Sequence, residues 1–129
     1  MNNKLCVSLT HAEDNLDKAS IAFTVANGGL AQDREVIVFL SSEAVKLSLI
    51  GYADNMEEEG FPPLIELINN FLNGTAEGNV NETKGTIWIC TPCFEKRKLK
   101  EKNIIPGAKV VGGALLIKFL DNNTPCISF

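Results

Sequence analysis

The stretch "GTIWICTPCFEKRK" (Gly85–Lys98) decides how the rest of the chain is read. An apolar, β-branched and aromatic run ends at Cys90. A short apolar run of this kind, bounded by a glycine before and a Thr-Pro pair after, reads as a strand over Gly85–Cys90 that is buried on both faces. Thr91 suits the cap of a following helix and Pro92 its first position, which leaves Cys93 in the first turn. The charged run from Pro92 to Asn103 is read as that helix. A buried strand that feeds a helix directly is the repeating unit of an α/β fold.

Working outward, the same unit recurs. Leu5–Thr10 ("LCVSLT") and Glu35–Ser41 ("EVIVFLS") read as two further buried strands. Between them Asp14 or Asn15 can cap a helix whose apolar residues Leu16, Ala19, Phe23, Ala26 and Leu30 recur at helical spacing. Gly28-Gly29 is read as its C-terminal signal. Residues 41–60 are less regular, a short helical or extended piece running into an acidic loop at Glu57, Glu58 and Glu59. The clearest helix is "FPPLIELINNFLNG", with Pro63 at its first position, one stripe of Leu64, Leu67, Ile68, Phe71 and Leu72, and Gly74 at its end. After the cysteine-bearing stretch come a fourth strand in "AKVVGG", a helix in "ALLIKFLDNN" and a last strand in "PCISF". Strands alternating with helices imply a mostly parallel sheet with helices on both faces. The 129 residues are read as a single domain, 1–129.

Composition narrows the function classes. Apolar residues make up 45% and charged residues 22%, with a net charge of −4 at pH 7, so a basic face for nucleic acid is not expected. No apolar run approaches a membrane span and the N-terminus lacks a signal-peptide pattern, so the expectation is a cytoplasmic protein with no membrane partner. Four cysteines in a chain of this size are read as free thiols rather than a disulfide scaffold.

Chemistry in such folds gathers beyond the carboxyl ends of the strands. Two segments leave strands there with useful residues, "SLTHAED" and "CTPCFEKR". Cys90 stands at a strand end, before a helix N-terminus and the basic residues Lys96, Arg97 and Lys98. Both influences favour a thiolate, so a lowered pKa is expected at Cys90. Lys96 and Arg97 are candidates for holding negative charge there, Thr91 for capping, and His11 for a base or hydrogen-bond donor. Cys6 and Cys126, inside apolar runs, are read as buried and inert. Zinc is disfavoured within one chain, because one CxxC pair and one histidine do not complete four ligands. No glycine-rich nucleotide motif appears, and no cofactor is expected. The readings left open for the Cys90/Cys93 pair are a sulfur carrier, a metal or interface site, a dithiol redox couple, and packing.

Three blocks resemble the DsrE/DsrF-like family of small sulfur-relay proteins. They are "SLTHAEDNLDKASIAFTVANGGLAQDREVIVFL" (residues 8–40), "IWICTPCFEKRKLKEKNIIPGAKVVGGALLIKFL" (87–120) and the tail "CISF" (126–129). The resemblance implies a three-layer α/β/α sandwich around a five-stranded, mainly parallel sheet. It implies homo-oligomers, trimers or hexamers, or assembly with related subunits, and exchange with sulfur donor and acceptor proteins. It implies that Cys90 carries sulfur as a persulfide. Cys93 is a second thiol that many relay members lack at that spacing, and it is read as resolving that persulfide into a disulfide and modulating its discharge, or as binding metal with its partner.

Overall fold

The computed structural model describes residues 3–129. Five strands and four helices alternate along the chain: β1 (Lys4–Leu9), α1 (Leu16–Ala31), β2 (Glu35–Leu40), α2 (Leu64–Asn73), β3 (Thr86–Cys90), α3 (Thr91–Lys96), β4 (Ala108–Val111), α4 (Gly113–Phe119) and β5 (Cys126–Ser128). Three short 3-10 segments, Glu13–Asn15, Ser42–Ser48 and Glu101–Asn103, lie in the connections. The sheet order is β4-β3-β2-β1-β5, and all four neighbouring pairs are parallel.

The chain therefore steps outward from β1 through β2 and β3 to β4, then returns across the sheet to β5. With right-handed crossovers, the outward connections fall on one face and the return on the other. The packing agrees. Leu5, Val7 and Leu9, Val36, Val38 and Leu40, and Ile87 and Ile89 alternate onto a large core shared with α1, α2, Phe94 of α3 and the 3-10 turn at Ser42–Ser48. The opposite pleats carry Cys6, Ile37 and Trp88, which pack with Val111 and with Phe119 of α4. Helices thus cover both faces, but unequally.

Local chemistry sets the element boundaries. Asn15 caps α1, its side-chain oxygen accepting the Lys18 N–H at 3.1 Å. The expected apolar stripe faces the core, with Ala19, Phe23, Ala26 and Leu30 buried. Gly28-Gly29 does not end the helix, which runs on to Ala31. Gly29 is instead a point of close approach, because a Cβ there would come within 2.7 Å of Leu5 and 2.9 Å of Val36. Pro63 is the N-cap of α2 rather than its first residue, and Gly74 closes the helix in the left-handed conformation as its sequence position suggests. Phe23 of α1 meets Phe71 of α2 edge-on, 5.9 Å between ring centres, an arrangement worth about 0.5–1.5 kcal/mol beyond burial. The helix after Cys90 is much shorter than expected. It stops at Lys96 in a Schellman motif: Leu99 N–H bonds Phe94 O, Lys98 N–H bonds Glu95 O, and Lys98 takes φ 56°. No glycine marks that stop, which hides it from the sequence.

Candidate functional site

The outward march of the chain and its return create one place where neighbouring strands send their connections to opposite faces. The segment after β3 crosses the α1/α2 face, while the one after β4 enters α4 on the other. Such a switch point opens a crevice beyond the strand ends. Cys90, the last residue of β3, sits there directly across from Val111, the last of β4. Gly112, the N-cap of α4, and Gly113, its first residue, follow β4, exposed and with no neighbour within 4 Å of where a Cβ would stand.

Cys90 is half-buried and takes the N-cap position of α3, which displaces Thr91 to the first helical residue and Pro92 to the second. The Thr91 hydroxyl therefore caps nothing. It donates to the Val111 carbonyl at 2.6 Å and ties the start of α3 to the end of β4. Cys93 follows one turn on, also half-buried and within hydrogen-bonding reach of the Cys90 thiol. Its backbone N–H points at the Cys90 sulfur, though without forming a cap hydrogen bond.

Burial reverses the expectation of an acidic Cys90. Desolvation pushes its thiol above the usual cysteine value, and the neighbouring Cys93 thiol adds to the rise. The Cys93 N–H and the Arg97 guanidinium pull the other way and are outweighed. A helix of six residues does little to overcome the loss of water.

The cations divide. Lys96 is exposed. Arg97 turns back over α3, its Nη1–H donating to the Cys93 carbonyl at 3.2 Å and its Nε–H to Glu43 at 2.8 Å. Glu43 also pairs with Lys46 at 3.0 Å, and its carboxyl lies below the usual carboxylate range because the Arg97 and Lys46 hydrogen bonds favour the anion. Glu43 lies in the connection after β2, and β2 is the strand next to β3. It is a neighbour that sequence reasoning missed. The available signal was that "SSEAVK" leaves a strand at the same edge, but the strand order that makes it adjacent is not written in the sequence.

His11 is not brought beside Cys90. It follows β1, which β2 separates from β3, so roughly two strand spacings of about 4.8 Å intervene. Its Nδ1 is 2.7 Å from Asp14, whose carboxylate also accepts the Ala12 N–H at 2.8 Å and is held below its ordinary pKa first by that backbone bond. Among the described residues no three His, Cys, Asp or Glu side chains gather in a metal-binding arrangement. No helix among them is long and apolar enough to cross a membrane.

The layout has counterparts among solved structures. The fold matches the ychN protein from E. coli with a TM-score of 0.66 at 15% identity over 100% of both chains. It matches a protein of unknown function, MTH1491 from Methanobacterium thermoautotrophicum, with a TM-score of 0.59 at 13% identity over 98% of each. In sequence the chain is 26% identical over 119 residues to the uncharacterized protein MJ0760 of Methanocaldococcus jannaschii, covering 92% of this chain but only 40% of that protein. It is also 26% identical over 126 residues to the uncharacterized protein MJ0989 of the same organism, across 98% and 99% of the two. The structural likenesses, at 13–15% identity, show a shared fold. Since the family's model matches residues 3–129, nearly the whole chain, this protein belongs to the DsrE/DsrF-like family.

Proposed function

We propose that the protein is a cytoplasmic sulfur-relay protein that accepts sulfane sulfur on Cys90 and passes it on as a persulfide. The observation that carries this reading is the position of Cys90: half-buried at a strand end, at the sheet's switch point, with the Cys93 backbone N–H directed at its sulfur and the Arg97 charge near enough to favour the anion. In the loading step, the Cys90 thiol gives its proton to solvent and the thiolate attacks the outer sulfur of a donor persulfide. The donor S–S bond breaks, the donor leaves as a thiolate, and Cys90 holds the persulfide. An acceptor thiolate attacks that outer sulfur in turn, and Cys90 leaves as a thiolate. Cys93 stands close enough for a second outcome. Its attack on the Cys90 sulfur expels hydrosulfide and leaves a Cys90–Cys93 disulfide, which an external dithiol reopens. The raised Cys90 pKa fits a carrier that reacts slowly with stray electrophiles and waits for a docked donor.

The test is intact mass after exposure to a small persulfide donor, before and after reductant. The parent chain gains one sulfur atom that reductant removes. Cys90→Ser abolishes the gain, and Cys93→Ser keeps it while changing how fast it discharges. Equal loading of the parent and Cys90→Ser would refute the assignment.

The protein is further read as a homo-oligomer. Leu115 and Ile117 on α4 are exposed, 38% and 63%. Burial of such a surface against another copy is the ordinary use of it. Light scattering should give at least twice the 14.0 kDa of one chain. A monomer at micromolar concentration contradicts this.

A further inference from the structure

A second pair of thiols lies at the far side of the sheet, outside the site just described. Cys6 and Cys126 are direct register partners on the adjacent parallel strands β1 and β5. In-register neighbours project to the same face, and strands about 4.8 Å apart fall inside the roughly 4.4–6.8 Å between α-carbons that a disulfide spans. The two thiols lie within hydrogen-bonding reach of each other, and both are free. Their surroundings are opposite. Cys6 is fully buried against Ile37, Trp88 and Phe119, whereas Cys126 is exposed. Cys126 was expected to be buried; the edge position of β5, with a neighbour on one side only, leaves it open to solvent.

The strand that carries Cys126 is the least secured element of the sheet. It pairs over three residues, with Cys6 N–H to Pro125 O at 3.0 Å and Phe129 N–H to Ser8 O at 2.8 Å. Thr10 adds its N–H and its hydroxyl to the Phe129 carbonyl at 3.1 and 3.0 Å. A covalent link from β1 to β5 would hold this strand in place and close a loop of nearly the whole chain.

We propose that Cys6 and Cys126 form a thiol–disulfide exchange site for low-molecular-mass disulfides, in which Cys126 is the entry thiol and Cys6 closes a staple between β5 and β1. The Cys126 thiolate attacks one sulfur of a small disulfide, whose S–S bond breaks to release one small thiolate. A mixed disulfide remains on Cys126. Cys6 then gives up its proton to the departing base and attacks the Cys126 sulfur, expelling the second small thiolate. Two protein thiols are oxidised and one small disulfide is reduced to two thiols. Exposure assigns the order, since a reagent in solution reaches only Cys126. Burial pushes the Cys6 thiol up to about 12, so closure is the slower step and the reduced pair persists where small disulfides are scarce.

The test uses the full chain carrying Cys90→Ser and Cys93→Ser, so that its failure bears on this pair and not on the sulfur-relay reading. Oxidised glutathione is the probe, followed by peptide mapping without reductant. A glutathione adduct should appear on Cys126 and give way to a linked Cys6–Cys126 peptide. Thermal unfolding should move to higher temperature as that peptide accumulates and return when reductant is added. Adding Cys6→Ala should stop the reaction at the Cys126 adduct, and adding Cys126→Ser should leave Cys6 unmodified. If Cys6→Ala does not fold, the time course in the chain that keeps Cys6 still decides. A Cys126 adduct that persists there without the linked peptide, or no adduct on Cys126 at all, overturns the proposal.

Discussion

The molecule holds two pairs of cysteines built in opposite ways. Cys90 and Cys93 lie one helical turn apart at the end of a strand, where the connections part to opposite faces. Cys6 and Cys126 lie far apart in sequence and meet across a strand ladder. At the first pair, a backbone N–H faces the sulfur and the nearby Arg97 charge favours an anion, even though burial outweighs them. At the second, the deep thiol has only desolvation and another thiol beside it. A carrier must keep the sulfur it accepts, which requires groups that stabilise sulfur's negative charge. A staple has to expel what it accepts, which requires a second thiol with no competing partner. Position at a strand end against position within a strand makes that difference.

The largest expected effect tests whether the first site depends on the packing beneath it. Phe94 anchors α3 in the main core at 3% exposure, and Phe119 anchors α4 on the other face at 6%. Either one replaced by alanine should lower stability by about 3–5 kcal/mol. Phe94→Ala should also release α3 and cut sulfur loading on Cys90, while Phe119→Ala should spare loading under conditions where both variants remain folded. Calorimetry with intact mass reads both quantities. Equal loss of loading in the two variants would show that Cys90 owes nothing to its own helix.

A smaller effect comes from pH. Since the Cys90 thiol lies above its usual value of 9.0, its alkylation rate should keep climbing past pH 9, where an ordinary thiol begins to level off. Cys6 should stay unreactive throughout in the folded, reduced chain. Its effect on stability has a definite sign. The folded value of about 12 exceeds the ordinary cysteine value of 9.0, so the preference for the neutral thiol is intact below pH 9 and is lost as pH rises towards 12. Cys6→Ala should show a weaker fall of the unfolding midpoint over that interval, measured with reductant present. A plateau of Cys90 alkylation near neutral pH would contradict the burial argument.

The fold was legible in the sequence because buried parallel strands and amphipathic helices leave periodic apolar patterns. The runs around Val7, Val38 and Ile89 and the stripe through Leu64, Ile68 and Phe71 became the strands and helix expected of them. Cys90 was legible too, since an apolar run that stops before Thr-Pro marks a strand end. What stayed hidden depends on non-local geometry. The stop of α3 rests on Lys98 in a left-handed conformation rather than on a glycine. The approach of Glu43 to Arg97, the separation of His11 from Cys90, and the meeting of Cys6 with Cys126 all follow from strand order, which the sequence does not state. The pKa of Cys90 was misjudged because strand-end position suggests charge stabilisation, while the degree of burial is a property of the packed molecule.

The central claim is that Cys90 retains sulfane sulfur and that the Cys6/Cys126 pair does not. One measurement addresses it directly. The reduced parent chain is exposed briefly to a limiting amount of persulfide donor, trapped by alkylation, digested, and mapped for added sulfur at each of the four cysteines. Retained sulfur is expected on the Cys90 peptide, with none held at Cys6 or Cys126. Sulfur held on Cys126 as fully as on Cys90, or absent from Cys90, would contradict it.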